Sequence, residues 1–479
     1  MNSSHDNQES EKLSRRPNVV PICLAAFFND MGSDMLFAFY PLFLIHVIGV
    51  GEMKILGLLD TLALLLGLVI MPMTGRLADR QGRKHFIWSG YGCLLISRVA
   101  QGLSTLWTHL IPAKMLYQAG RGIRNPPREA LLIDSVPENQ RGQAFGWLGS
   151  ADTVGAIIGP ILGLGLFSWF LAMNLPLNTT YRLIFLCSAL PTTVSVALIF
   201  FGTRDVRSPG RESTRIRSGR RFALTGVSRE LLVFTVISCM FSFWAVTENF
   251  MLVSGTRVLG LRGGELWLSV LLYWFINITF APTAFFAGKF SDRVGRKIPL
   301  LAGMVAISVL TLGFAIVRGW WWVAALFMLH GMYQGLFSPS QKAFVADLAP
   351  AERRGEVLGS YSMLVGLAAV PGPLVFGFLW DALGRETPFL LSGSFIAVCA
   401  ILLALFVHEK KGDRQITFVC SSDTTQPDRL LQTSEPYDSS SPQQVQKRVS
   451  TIKFIRCGTR YIGACTSGPT TTGPSTPCV

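Results

Sequence analysis

The sequence GRLADRQGRK at residues 75–84 occurs a second time, as GKFSDRVGRK, at residues 288–297. The second copy begins 213 positions after the first, and the same spacing relates distant residues such as Pro160 and Pro373. Chance cannot plausibly keep one register over so long a stretch. The chain is therefore expected to consist of two halves built on the same plan.

The repeated decapeptide keeps its glycine, acidic and basic positions in both halves. Glycine permits a tight chain reversal. A carboxylate beside a basic cluster at a helix end can form charged hydrogen bonds that break when two bodies move apart. The shared positions are Gly75, Asp79, Arg80, Gly82, Arg83 and Lys84, and again Gly288, Asp292, Arg293, Gly295, Arg296 and Lys297.

Composition indicates that the bilayer is the solvent. Half of the 479 residues are apolar and 15% are charged, and the mean hydropathy is +0.41. Apolar runs long enough to cross roughly 30 Å of hydrocarbon as helices are predicted at 19–47, 54–74, 85–106, 108–135, 141–169, 181–202, 231–258, 265–287, 298–318, 320–348, 355–380 and 386–408. The prediction is an all-α membrane protein with twelve transmembrane helices in two pseudo-symmetric six-helix bundles.

The order of apolar and polar stretches predicts five segments. The bundles are expected at residues 17–202 and 231–408, joined by a basic cytoplasmic linker at 203–230 that is rich in Arg, Ser and Gly. Residues 1–16 and 409–479 are polar without a sustained apolar period, so both are predicted to be disordered cytoplasmic segments.

The net charge of +14, from 43 basic and 29 acidic residues, lies between the apolar runs. It is concentrated before the first span and in the loops after the even-numbered spans, whereas the alternate loops carry few basic residues. By the positive-inside rule, both termini are expected in the cytoplasm of a cell whose plasma membrane holds the protein. The charge then reflects orientation and anionic lipid headgroups, and nucleic acid is not an expected partner.

The decapeptide and its repeat resemble the loop motif that the major facilitator superfamily carries between its second and third helices. The resemblance covers about residues 19–408. It implies that the two halves alternate in opening a central site to either side of the membrane. It also implies a gating role for the shared residues of the motif, with Asp79 and Asp292 as latches on the cytoplasmic side.

The fifth predicted span contains the sequence GAIIGPILG at residues 155–163. Gly155, Gly159 and Gly163 are four residues apart and line one helix face, so a neighbouring helix can approach closely. Pro160 permits a bend. The stretch resembles a motif associated with antiporters of the superfamily, which favours exchange or export over uptake; ordinary small-residue packing is the alternative.

Ionisable side chains within the apolar spans are costly in hydrocarbon and usually face a wet cavity. Asp30 and Asp34 share one face of the first span, because residues four apart lie one above the other on a helix. The fourth span carries three arginines at i, i+3 and i+7, and two more acids follow in later spans. These residues are Arg121, Arg124, Arg128, Asp152 and Glu248.

The chemistry of these groups predicts proton or solute binding. A carboxylate with restricted hydration can exchange a proton near neutral pH, and a neighbouring arginine opposes that exchange. We expect Asp30 and Asp34 to carry a proton or cation, with Glu248 as a weaker candidate. The arginines are expected to be their partners or to anchor an anionic solute, and purely structural ion pairs are the alternative. Gln118 stands where superfamily members usually carry a basic residue, which argues against full proton coupling.

The sequence carries no phosphate-binding glycine loop, no metal-ligand spacing among its six histidines and no nucleophile motif. No enzymatic activity, cofactor or metal is therefore expected, and a proton gradient is the expected energy source. The function predicted is proton-coupled export of a small organic solute by a monomer in the lipid bilayer. The alternatives are an organic-anion or phosphate-ester exchanger that uses the arginines of the fourth span, and a non-transporting sensor or assembly protein of the same fold.

Overall fold

The computed structural model describes residues 13, 16, 18–137, 140–205, 228–350, 353–407, 454–457 and 460–463. Within them the chain forms twelve helical spans, named α1 to α12 in chain order. They are α1 (Val19–Phe37 and Phe39–His46), α2 (Met53–Gln81), α3 (Arg83–Leu103), α4 (Trp107–Asp134), α5 (Arg141–Ala172), α6 (Leu177–Gly202), α7 (Arg229–Trp244 and Glu248–Val258), α8 (Trp267–Val294, after a 3₁₀ turn at Gly263–Leu266), α9 (Lys297–Ile316), α10 (Trp320–Leu348), α11 (Arg354–Ala369 and Gly372–Leu383) and α12 (Glu386–Phe406).

The prediction of an all-α membrane fold with twelve spans is confirmed. In the described ranges, nine spans are long and apolar enough to cross a membrane, and the other three are α3, α4 and α10. α4 is less apolar because Lys114 and three arginines lie within it. Each predicted span corresponds to one helical span, and the ends differ by a few residues.

Three spans are interrupted, which the hydropathy pattern did not predict. In α1 the break at Ala38 lies one turn before Pro41, whose ring displaces the carbonyl of residue 37 and whose nitrogen carries no hydrogen. In α11, Pro371 and Pro373 have the same effect. The break in α7 contains neither proline nor glycine: Ala245 and Thr247 have extended backbone angles.

The spans pack as two halves, α1–α6 and α7–α12. Contacts between the halves are made mainly by α2 with α11 and by α5 with α8. The duplication relates α2 to α8 and α5 to α11, so the two contacts are equivalent under the repeat. The halves thus meet along two seams and enclose a space between them.

The glycines of residues 155–163 bring α5 against α1. A methyl group on Gly155 would lie 2.5 Å from the carbonyl oxygen of Phe27, and one on Gly163 would lie 2.9 Å from that of Met35. Gly159 packs in the same way on the backbone of Met31. The stripe therefore sets the close approach of two helices within the first half.

The two halves approach closely at one end of the bundle. We call the end with the α2–α3 and α8–α9 connections, at Gly82 and Gly295, the basic side, and the opposite end the far side. On the far side, Gly57 packs directly on the carbonyl of Pro373. Gly377 packs in the same way on the carbonyl of Met53. The halves are therefore in direct backbone contact on the far side.

A carboxylate of the second half caps a helix of the first half on the far side. Asp381 of α11 accepts hydrogen bonds from the backbone amides of Met53 and Lys54, each at 2.8 Å. These amides belong to the first turn of α2, where no intrahelical acceptor exists and where the helix dipole favours negative charge. Asp381 therefore joins the halves at the far-side mouth.

The predicted terminal segments and linker lie mostly outside the described residues. This holds for 1–16, for 203–230 and for 409–479. The part of the last segment that the structure describes is an antiparallel hairpin of β1 (Phe454–Cys457) and β2 (Arg460–Gly463), with Phe454 opposite Gly463. The hairpin and the helical spans belong to separate compact units.

The glycine stripe predicts a stability effect. Substituting Gly159 with alanine should lower the thermal midpoint of the purified protein by several degrees, because α1 must move away from α5 at a cost of about 1–3 kcal/mol. Thermal unfolding in detergent, followed by tryptophan fluorescence, measures this. Gly165→Ala in the same helix is the control, since nothing lies within 4 Å of a methyl group there. Equal midpoints for the two variants would contradict the packing role.

Candidate functional site

A cavity of about 440 Å³ lies between the two halves. Side chains of α1 to α4 form one wall, and α7, α9 and α10 form the other. Much of the lining is aromatic or aliphatic, including Phe37, Tyr40, Tyr117 and Tyr333. The lining also contains four charged residues and one histidine, which are Asp60, Lys114, Arg121, Glu248 and His330.

Asp60 of α2 joins both halves. Its carboxylate pairs with the ammonium group of Lys114 on α4, which also lies 4.1 Å above the centre of the Tyr40 ring. From the second half, the amide of Asn249 donates to the two carboxylate oxygens at 3.1 and 3.0 Å. The hydroxyl of Thr247 donates at 3.4 Å. A charge pair of the first half is thus hydrogen-bonded to the break in α7.

Glu248 lies on the opposite wall, in the first turn of the second segment of α7. Its carboxylate accepts a hydrogen bond of 2.5 Å from the side-chain amide of Gln334 and lies 3.3 Å from Nε2 of His330. Both partners belong to α10. The helix N-terminus adds a favourable field for the carboxylate, and the partners of this acid all lie within the second half.

Asp34 on α1 also makes a bond between the halves. The hydroxyl of Tyr273 on α8 donates to Oδ1 of Asp34 at 2.5 Å, and the Tyr273 ring stacks on Phe37 with centroids 4.7 Å apart. Asp30 lies one turn away and accepts a hydrogen bond of 2.7 Å from Asn29. Asp34 therefore lies at the seam between the halves, whereas the hydrogen bond of Asp30 stays within α1.

The three arginines of α4 have three different environments. Arg121 is exposed in the cavity and forms no ion pair with a described residue. Arg124 is buried, with its guanidinium 4.7 Å above the ring of Tyr91. Arg128 is buried and lies 3.4 Å from each oxygen of Asp152 on α5. One predicted arginine therefore reaches the cavity, and two lie among packed helices.

A further arginine, Arg98 on α3, was not predicted from the sequence. It is completely buried and donates to the backbone oxygens of Asn29 and Ser188, at 3.1 and 2.8 Å, and to the hydroxyls of Ser33 and Thr192. All these partners are neutral. Arg98 thus ties α1, α3 and α6 together near the Asp30 end of the first half.

The repeated loop motif forms matching ion pairs in the two halves. Arg83 pairs with Asp134 at the end of α4, and its counterpart Arg296 pairs with Asp347 at the end of α10 at 3.3 Å. Asp79, with 59% of its side chain exposed, lies 3.2 Å from Arg83. Each of these pairs lies within one half. The side chains of Arg80, Asp292 and Arg293 lie outside the described part. The latch roles predicted for Asp79 and Asp292 stay predictions.

Three residues that line the cavity, Asp60, Lys114 and His330, were not predicted from the sequence, and neither was the buried Arg98. Asp60, Lys114, Arg98 and His330 are all polar residues within apolar spans, which is the same pattern that pointed to Asp34. Among the described residues, no group of His, Cys, Asp and Glu side chains could hold a metal ion.

Two duplicated six-helix halves around a cavity that reaches the middle of the spans define a multi-pass membrane transporter. The family model described as Major Facilitator Superfamily matches residues 22–319 and 267–419. The chain belongs to the Major Facilitator Superfamily, and it is accordingly a transporter of small molecules and not an enzyme.

Relatives and solved structures match this chain over most of its length. An uncharacterized MFS-type transporter of Methanocaldococcus jannaschii is 30% identical over 409 residues, which are 85% of this chain and 98% of that protein. Multidrug resistance protein MdtG of Dickeya zeae is 23% identical over 410 residues, or 84% of this chain and 97% of that one. The crystal structure of the nucleoside transporter NupG superposes with a TM-score of 0.66 at 13% identity, and the match covers 82% of this chain and 100% of that chain; it shows the shared fold.

The burial of Arg128, whose partner Asp152 is partly exposed, predicts a structural role for this pair. Asp152→Ala should destabilise the protein by about 3–5 kcal/mol, because it leaves the Arg128 charge buried without its partner. Thermal unfolding in detergent measures the loss. Glu386→Ala serves as the control, since that carboxylate is 65% exposed. An Asp152→Ala protein that melts like the wild type but no longer transports would instead assign Asp152 to the transport cycle.

Proposed function

We propose that the protein is a secondary active exporter that exchanges protons for a small organic solute. The observation that carries this proposal is that acids in the middle of the spans bond across the two halves, Asp34 to Tyr273 and Asp60 to Asn249. Alternating access requires that such bonds form and break. A change in the charge of either acid therefore alters the balance between the two conformations.

The basic side faces the cytoplasm in this proposal, and both termini lie there, in the plasma membrane. The support is the excess of basic residues in the loops on that side. The cytoplasm is also the side from which an exporter takes up its solute. A single chain builds the whole cavity, so we propose that the monomer is the transporting unit.

The lining of the cavity favours an aromatic or amphipathic solute. Tyr40, Tyr117 and Tyr333 offer ring faces and hydroxyls, which suit ligands that are mostly apolar and carry a few polar groups. Glu248, held by Gln334, offers a carboxylate to a cationic group. MdtG, a multidrug resistance protein by name, is a relative over nearly its whole length, which is consistent with an export role.

Lys114 supplies a basic residue near position 118, where this chain has the neutral Gln118. Gln118 lines the cavity but carries no charge, and Lys114 lies one helical turn earlier on α4, where it pairs with Asp60. A basic residue is therefore available beside an acid on the cavity wall. We propose that the Asp60–Lys114 pair takes the role for which the superfamily uses a basic residue at the position of Gln118.

Transport in proteoliposomes tests proton coupling. A pH gradient should drive accumulation of ethidium, an aromatic cation, against its own concentration gradient, because proton efflux from an acidic lumen is exchanged for solute entry. Glu248→Gln should reduce this flux by about tenfold or more, the effect of losing one charge-assisted contact. Glu265→Gln, at an exposed position on the far side, should transport like the wild type. Ethidium flux that ignores gradients of either direction would refute the proposal for this class of solute.

A second candidate function, exchange of organic anions, is favoured by Arg121. Its guanidinium is exposed in the cavity and unpaired among the described residues, and a guanidinium recognises carboxylate and phosphate groups well. Lys114 lies on the same wall, although Asp60 neutralises it. The site could therefore hold one anionic group at Arg121.

Counterflow separates the two candidates. An anion exchanger should take up labelled fluorescein into vesicles that are loaded with unlabelled fluorescein, without any pH gradient. Arg121→Gln should abolish this uptake. Arg124→Gln is the comparison, because that buried guanidinium faces Tyr91 and not the cavity. Equal loss of counterflow in both variants would argue against Arg121 as the anion anchor.

A further inference from the structure

Two rows of side chains occupy equivalent places on the two walls of the cavity. The row on α4 consists of Tyr117 and Arg121, and the row on α10 consists of His330 and Gln334. His330 lies 213 positions after Tyr117, and Gln334 lies 213 positions after Arg121. Parallel repeats are related by an axis along the membrane normal, so equivalent residues lie at the same depth. The two rows therefore face the cavity from opposite walls at one depth.

The two walls carry opposite charge at this depth. Arg121 is exposed and forms no ion pair with a described residue. On the other wall, the carboxylate of Glu248 accepts a hydrogen bond of 2.5 Å from Gln334, the counterpart of Arg121. Gln334 is neutral, so this bond orients the carboxylate without cancelling its charge. The first half thus presents a guanidinium and the second half presents a carboxylate.

The other charges of the lining are already paired within one wall. Asp60 pairs with Lys114, and their side chains are only 8% and 15% exposed. The Asp60 carboxylate also accepts two hydrogen bonds from the amide of Asn249. Glu248 is more open than Asp60, with 19% of its side chain exposed. A solute that enters the cavity therefore meets Arg121 and Glu248 as the two charges that it can bind.

We propose that the solute is a zwitterion, whose anionic group binds Arg121 and whose cationic amino group binds Glu248. This inference rests on the proposed function, because it names the class of solute that the exporter carries. A guanidinium offers parallel donors to a carboxylate, and a carboxylate accepts charge-assisted hydrogen bonds from an amino group. A zwitterion satisfies both walls at once, whereas a solute with a single charge leaves one wall without its counter-charge.

The lining between the two charges suits an aromatic body. Tyr117 lies one helical turn before Arg121, Tyr333 is the neighbour of Gln334, and Phe37 of α1 completes the aromatic surface. Aromatic side chains pack well on flat ring systems. The cavity volume of about 440 Å³ lies within the range of about 300–1,000 Å³ that holds drug-sized ligands. The expected solute is therefore a compound of a few rings with an acidic group and an amino group.

The test compares two forms of one dye in equilibrium binding to the purified protein. A rhodamine with two unsubstituted amino groups is a zwitterion as the free acid at neutral pH, and its methyl ester is a cation of nearly the same shape. Fluorescence polarisation in detergent measures the binding of each form without any gradient. Variants are compared for one form at a time, so the partition of that form into micelles cancels.

Arg121→Gln should weaken binding of the free acid by about tenfold or more, the effect of losing one charge-assisted contact. It should not weaken binding of the methyl ester, because the ester has no anionic group for the guanidinium to bind. Glu248→Gln should weaken both forms by a similar factor, because both carry the cationic amino groups. Binding of the ester by Arg121→Gln also shows that this variant is folded.

Two exposed positions outside the cavity supply matched controls. Arg318→Gln and Glu265→Gln remove the same charges from residues that are exposed and do not line the cavity, so both should bind the two forms like the wild type. If Arg121→Gln does not insert into the membrane, Arg121→Lys takes its place. This variant should weaken the free acid by a smaller factor and again spare the ester, because an ammonium group lacks parallel donors.

Equal weakening of the two forms in Arg121→Gln would overturn the inference, because the guanidinium would then support the cavity and not the anionic group. An unchanged affinity of that variant for the free acid would do the same, as would a wild type that does not bind the free acid. Failure of the proposed function has a different outcome, namely the absence of gradient-driven flux in the wild type. Binding without a gradient decides the zwitterion site in either case.

Discussion

The bilayer offers no hydrogen-bond partner to a polar group, and this constraint accounts for the arrangement of charges in the protein. Each acid in the middle of a span must find its partner within the chain or in the cavity. Asp152 pairs with Arg128, and Asp60 pairs with Lys114. Glu248 contacts Gln334 and His330. Arg121 has no such partner among the described residues and lies in the cavity. Its guanidinium therefore faces the open space of the cavity.

The duplication is retained in the scaffold and lost in the cavity. The loop pairs Arg83–Asp134 and Arg296–Asp347 are equivalent, as are the two seams between the halves. In contrast, the positions of the second half that correspond to Lys114 and Arg121 hold Phe327 and Gln334. The first half therefore carries most of the charge and the second half supplies neutral donors. An asymmetric cavity of this kind can bind one solute in one orientation although its framework is symmetric.

The sequence predicted the twelve spans and the two halves, because span length depends on local composition and the 213-residue repeat can be read from the sequence alone. It predicted the site only in part. The i, i+3, i+7 spacing correctly places three arginines on one face of α4, but Arg121 and Arg128 differ in depth by roughly 10 Å at 1.5 Å per residue. Arg121 lines the cavity, and Arg128 pairs with Asp152.

The break in α7 contains no proline or glycine, so the local sequence does not indicate it. Its polar residues, Thr247 and Asn249, bond to Asp60 of the other half, and such tertiary contacts cannot be read from local sequence.

The way the charges are paired explains how the halves can separate at an acceptable cost. Every ion pair between described residues joins two residues of the same half, so it moves as a unit and stays neutral when the halves rock. The bonds that cross between the halves join a carboxylate to a hydroxyl, an amide side chain or a backbone amide. Breaking a buried ion pair would cost about 3–5 kcal/mol and leave a charge without a partner, whereas a hydrogen bond to a charged group contributes about 1.5–3 kcal/mol. A few bonds of the weaker kind can be exchanged for water or protons during a cycle. In the proposed cycle, the carboxylates at the seam are therefore the groups whose partners change.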